Sequence, residues 1–304
     1  MLKTFHGLTL GLASLLAIFG IRDAAATVVI DIDGNVAHAQ ISLDDAGGNT
    51  YEAEVTITFD SVLNLSAQSL NLSAALVDPN DPNFSARLPA NLTIDPAFPM
   101  MITVEPPDVA RLFTSGFDGN EDGSGNLSFL NVYDIEIHTH DLAYTDASPY
   151  RLIKAPVGGD FLDYTEDIFP GSTRARGRDG AFSQFMIATD SYTNGLSMLL
   201  FVAVPKLLNL QLRVIAAALN DVLNLDLLGL LADIAADLAL LGLDLTGAID
   251  ALDQLIAEIT ANAGTSIPNE WNSEHSVTND AGEILGLAQT LRFTLVRLQS
   301  LPLL

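Results

Sequence analysis

The chain has 304 residues, 49% of them apolar, which is enough for one large or two ordinary domains with a sizeable core. It contains no cysteine, which excludes a disulfide framework, a zinc–thiolate site, a cysteine nucleophile and a lipoprotein anchor. Its 38 Asp and Glu stand against 13 Lys and Arg, and a net charge of −25 repels nucleic acid and anionic lipid headgroups while favouring solubility and cation association.

Lys3, an apolar stretch over 8–21 and then Ala24-Ala25-Ala26 have the form of a secretory signal with a small-residue cleavage site over 1–26. A buried N-terminal helix is the alternative, disfavoured because a strand pattern begins at once at Thr27. The mature chain is expected to start there and to act in the periplasm or outside the cell. No later segment is expected to cross a membrane. Residues 196–204 are apolar but short, and Asp233, Asp237 and Asp244 interrupt the leucine-rich run 227–245.

Val28, Ile30 and Ile32 alternate with Val29, Asp31 and Asp33, and Asp33-Gly34-Asn35 is hairpin-turn chemistry leading into a return strand over 36–43. Tyr51, Ala53, Val55, Ile57 and Phe59 then alternate with Glu52, Glu54, Thr56, Thr58 and Asp60, which means one buried face and one wet face. Further strands are expected over 69–77, 101–105, 129–140, 150–154, 172–178 and 182–189, with a proline-rich loop over 78–99. Short strands between turn clusters point to an antiparallel β-sandwich over 27–190.

Residues 191–204 read as a connector or a last strand. Beyond Pro205 the apolar spacing becomes three and four: Leu208, Leu212, Ile215, Leu219 and Val222, then Leu227 to Leu245, Ile249 to Ile259, and Ile284 to Leu298. Breaks are expected at 223–224, 242–247 and 264–268, and Asp280 with Glu283 has the form of a capping box. Short connections between apolar seams imply antiparallel helices packed on each other, with partner helices as the alternative. The predicted fold class is α+β, an N-terminal antiparallel β-sandwich followed by a C-terminal α-helical bundle over 205–300.

Three constellations carry candidate chemistry. Glu136, His138 and His140 fall at i, i+2 and i+4 of one strand, so they share a face on which two imidazoles and a carboxylate can hold a metal; a hydrated sheet face explains the same alternation. Asp118, Asn120, Asp122 and Gly123 match the start of an EF-hand-type loop and make calcium the candidate cofactor, although Phe129 replaces the bidentate Glu. Arg174, Arg176 and Arg178 would line one strand face, where they either receive an anion or polyanionic glycan or pair with acids on neighbouring strands. Trp271, the single Trp, falls in the helical half, which weakens a carbohydrate-stacking platform.

The runs Ile137-His138-Thr139-His140-Asp141-Leu142, Tyr150 to Pro156 with Gly158-Gly159, Arg174-Ala175-Arg176-Gly177, Phe182-Ser183-Gln184-Phe185 and Leu291 to Leu295 together resemble a family of exported, uncharacterised bacterial proteins (a domain of unknown function). Residues 247–264 are similar to the helical FIMAH-type module of bacterial surface and secreted proteins. The first resemblance implies location and no assigned activity. The expected function is a non-enzymatic binding or structural module of the envelope or extracellular space, with a protein or glycan partner and no nucleic acid. The alternatives are a metal-dependent enzyme using Glu136, His138 and His140, and a calcium-stabilised adhesion module using the 118–126 loop.

Overall fold

The computed structural model describes residues 26–108, 126–145, 148–170, 172–217, 219–239 and 242–302. It is a mixed α/β protein with two antiparallel sheets in the N-terminal two-thirds and helices at the C-terminus.

The first sheet is built from β1 (Ala26–Asp33), β2 (Val36–Asp44), β3 (Thr50–Leu63), β7 (Ser128–Thr139), β10 (Asp167–Phe169) and β11 (Thr173–Asp179), in the order β1-β2-β3-β7-β11-β10. Along β3 the alternation sets the two faces: Ala53, Val55, Ile57 and Phe59 are buried, while Glu52 and Glu54 are exposed. Gly34 turns the first hairpin at φ 61°, where a side chain would be strained.

The second sheet orders β4 (Leu72–Leu76), β6 (Met100–Val104), β12 (Gln184–Asp190), β8 (Tyr150–Ala155) and β9 (Leu162–Asp163), with β5 (Leu92–Thr93) paired to the end of β12. One buried cluster draws Ile57 and Phe59 from the first sheet and Ile102, Phe185 and Ile187 from the second. A separate cluster on the second sheet joins Ile153 and Met186 to Phe84 and Phe161, so β8 and β12 are buried on both faces.

Two one-turn helices interrupt the β-rich part. α1 (Ala67–Leu70) occupies the start of the strand expected over 69–77, because Ser66 and Ser69 cap each other's backbone and Asn71 takes a left-handed conformation at φ 48°. α2 (Pro82–Ser85) lies in the proline-rich loop with Asp81 as its cap.

The span 191–204 is neither connector nor strand. α3 (Gly195–Ala216) starts at the Asn194 cap and runs through Pro205. A π-turn over Leu199–Ala203 makes this possible: Val204 N–H donates to Leu199 O, a five-residue step that re-phases the helix before the proline, which has no N–H to offer. α3 is long and apolar enough to span a bilayer by length and composition, and its inner face is buried in the helical core. The next break falls at 217–220 rather than 223–224, because the Asn220 side chain accepts from Leu223 N–H and starts α4 (Asp221–Asp237) there.

α5 (Leu245–Asn262) is capped by Asp244 and α6 (Asp280–Gln299) by Asn279, whose side chain accepts from Gly282 N–H. The expected Asp280/Glu283 box is therefore not formed; both carboxylates bind Arg213 on α3 instead, at 2.6 and 2.8 Å. Leu210, Leu227, Leu231, Leu252, Leu255, Leu291 and Leu295 fill the helical core, together with Val132 from β7.

The halves interlock. β13 (Glu270–Asn272), between α5 and α6, pairs with the start of β7. It carries Trp271 into the sheet's aromatic cluster, stacked on Phe129 with ring centroids 5.2 Å apart, so this residue belongs to a strand rather than to the bundle. α6 crosses β7 and β11 so closely that a Cβ at Gly282 would lie 2.4 Å from Asn131 O on β7, and one at Gly286 2.6 Å from Arg178 O on β11.

Candidate functional site: an arginine-lined cleft

Three glycines bring α6 onto the sheet at one end, Gly180, Gly282 and Gly286, and its other end stands beside β10 and the chain around Ser148. A cleft of about 810 Å³ opens there. α6 supplies Gln289, Arg292, Phe293, Val296 and Arg297, with Ser300 as its C-cap, and their spacing of three and four residues sets them on one face of the helix. The opposite wall carries Glu166, Asp167, Ile168 and Arg176.

Three guanidinium groups thus line one cavity of a chain with a net charge of −25. Arg297 donates to Ser148 O at 2.9 Å, Arg292 is held by Asp253 at 2.6 Å, and Arg176 stands 3.5 Å from Asp134. A fourth cation lies behind the wall: buried Arg151 is 5.5 Å from the centre of the Phe293 ring. Of the two acids on this wall, Glu166 is taken by Arg178 at 2.9 Å and Asp167 accepts from Ile168 N–H at 2.8 Å. The Nε atoms of Arg176 and Arg297 are buried and have no hydrogen-bond partner. A buried donor left unmade costs about 1–3 kcal/mol; these two are closed off from solvent, and what the residues bring to the cleft is the positive charge of their guanidinium groups.

A second groove, of about 540 Å³, contrasts with it. Its floor holds Lys154, which binds Asp179 and donates to Ala181 O at 2.5 Å, above the Tyr164 ring. Burial pushes the Asp179 carboxyl up from its usual range against the pull of Lys154, and Glu283 adds to the rise. Burial also holds the Tyr164 hydroxyl well above its ordinary value, with Asp179 next in effect. These groups satisfy one another.

The three arginines on β11 each face an acid: Arg174 lies 3.8 Å from Glu136, Arg176 3.5 Å from Asp134, and Arg178 3.3 Å from Asp134. Arg176 alone also lines the cleft. The described Lys and Arg side chains all turn to partners within the chain, which leaves the outer surface to its acids.

The structure places His138 and His140 together, with ring centroids 4.7 Å apart, in a shallow hollow of about 280 Å³ shared with Glu52 and Glu54. His138 Nδ1 is 2.9 Å from Glu54 and its Nε2 bonds Ser172, while Glu136 faces Arg174 outside that hollow. Among the described residues no group of three or more His, Asp or Glu is arranged to hold a metal ion. Asp118, Asn120 and Asp122 lie outside the described residues.

Sheets, helices and cleft define a mixed α/β protein with a cation-lined cavity at the seam between its halves. The chain belongs to the DUF6689 family, a family of unknown function, whose model matches residues 12–299. No curated protein and no solved structure matches it.

Proposed function

We propose that the protein is an exported, non-enzymatic module that binds an organic anion in the arginine cleft. On this account the two sheets form a sandwich over 27–190 and carry a helical bundle over 205–300, with α6 as the shared wall. Export is supported by Lys3, the apolar stretch 8–21 and Ala24-Ala25-Ala26. The sandwich is supported by the cluster that takes side chains from both sheets.

The observation that carries the ligand class is the convergence of three guanidinium groups, those of Arg176, Arg292 and Arg297, on one cavity of a chain with a net charge of −25. An anion among them offsets the positive charge they share. Phe293, Val296 and Ile168 beside them suit an apolar body behind the charged head. Binding is favoured over catalysis because arginine stays protonated at neutral pH and transfers no proton, and the adjacent Glu166 is already committed to Arg178.

Isothermal titration with octanoate, acetate and octanol tests this. Octanoate is expected to bind, and acetate and octanol to bind more weakly, because each lacks half of the ligand. Arg297→Gln is expected to weaken octanoate at least tenfold, since a hydrogen bond to a charged group contributes about 1.5–3 kcal/mol. Equal binding of octanol and octanoate, or no binding of any of the three, would overturn the proposal. For export, N-terminal sequencing of chain recovered from outside the cytoplasm is expected to begin near Thr27.

A further inference from the structure

A 22-residue helix on the surface of this protein carries no acid at all, although the chain is dominated by them. Between Asp190 and Asp221 the sequence has no Asp or Glu, and its two cations point inward: Lys206 is buried against Asp163, and Arg213 binds Asp280 and Glu283. The outer face of α3 is apolar instead. Leu200, Phe201, Val204, Leu208, Leu212 and Ile215 are all exposed, from 39% at Leu200 to 61% at Phe201. Their spacing of three and four residues sets them in one stripe, and the opposite face, with Leu207, Leu210 and Val214, fills the core. Tyr192 packs beside Phe201 at 5.8 Å and extends the stripe at its start.

We infer that this face is where a second copy of the chain docks, α3 against α3 across a two-fold axis. Three observations point to a copy of the chain itself rather than a bilayer. First, a lipid-surface helix carries Lys and Arg beside its apolar face, whereas α3 has turned both of its cations inward. Second, two chains of charge −25 repel least where their meeting surface is free of acids, and 191–220 is the longest acid-free run in the sequence. Third, six large side chains at these exposures present on the order of 500–600 Å² of apolar surface, at the top of what a monomer leaves contiguous. With a polar rim added, that approaches the roughly 800 Å² per partner of a standard interface. The two-fold axis makes the stripe complementary to itself, so one patch serves both partners.

Sedimentation velocity on the purified chain across micromolar concentrations reads this. The expected result is a monomer–dimer equilibrium that tightens as salt is raised, because salt screens the repulsion between two acidic chains and leaves apolar contact intact. Leu208→Glu and Leu212→Glu change exposed positions, so thermal unfolding should be unmoved while the dimer weakens at least about tenfold for each. Leu63→Glu, an exposed apolar site on the first sheet, should leave the dimer unchanged. A chain that stays monomeric at every concentration overturns the inference. So does a dimer indifferent to both leucine substitutions, or one that loosens with salt. Monomer that floats with zwitterionic vesicles through the same two leucines assigns the face to a bilayer and overturns it equally.

Discussion

The interior of each half and the surface between the halves are made of different materials. Ile57, Phe59, Ile102 and Ile187 fill the space between the sheets, and Leu227, Leu231, Leu252 and Leu291 fill the helical core. The junction adds buried charge to the apolar contacts that Trp271 and Val132 make across it. Lys206 on α3 reaches Asp163 at 2.7 Å and donates to the hydroxyls of Thr290 and Thr294 on α6 at 2.7 and 2.9 Å. Two further buried pairs lie within the β-rich half: Arg151 on β8 meets Asp190 on β12 at 3.0 Å, and Lys154 on β8 binds Asp179 on β11. Apolar packing is non-directional and tolerates small shifts, whereas a buried ion pair is stable only when its partners are in place. The contrast teaches that oil forms the halves and charge registers one on the other, which also positions α6 as a wall of the cleft.

The largest effect that would break this comparison comes from the junction. Lys206→Met removes the ammonium and leaves Asp163 buried, so it is expected to cost about 3–5 kcal/mol in chemical denaturation. The pair replacement Lys206→Met with Asp163→Leu should recover most of that loss, because no buried charge is then stranded. A single variant as stable as the parent would show that the seam holds nothing.

Acid titration sharpens the comparison with a smaller effect. Burial pushes Asp163 up, but Lys206 and Arg151 pull harder, so its carboxyl sits below the ordinary 3.8. Its contribution is present above pH 3.8 and is lost as pH falls through the lower folded value. Asp179 is shifted the other way, above 3.8, so its contribution is present at low pH and is lost as pH rises through the folded value. The stability difference between the parent and Asp163→Asn should therefore shrink as pH falls below 3.8, while the difference between the parent and Asp179→Asn should move in the parent's favour. Slopes of the same sign in the two profiles would contradict this account of the pairs.

The two interiors were legible in the sequence because each is written as a period. The alternation at Tyr51 to Phe59 and the seam at Ile284 to Leu298 both pack as their spacing requires. The junction was not, because nothing in local spacing says that Lys206 will meet Asp163, 43 residues away. Pro205 looked like a boundary and is not one, since a π-turn absorbs it. Trp271 fell in the helical half of the sequence and is a strand residue, fixed by pairing with Phe129. The cleft lay half in view. Arg292 and Arg297 follow helical spacing with Gln289, Val296 and Ser300, a second stripe beside the apolar one, but spacing alone reads it as a solvated face. Its distinguishing feature, guanidinium groups from two elements lining one cavity, exists only once β11 is brought against α6.

The central claim is that Arg176 and Arg297 receive an anion in the cleft, and arginine side-chain NMR addresses it most directly. In a ¹H–¹⁵N spectrum of the Nε–H groups, titration with octanoate is expected to shift the Arg176 and Arg297 signals saturably and together, while Arg87 and Arg213, each engaged elsewhere, stay in place. Signals of Arg176 and Arg297 that remain still while octanoate saturates the protein, or a uniform drift of every arginine, would contradict it.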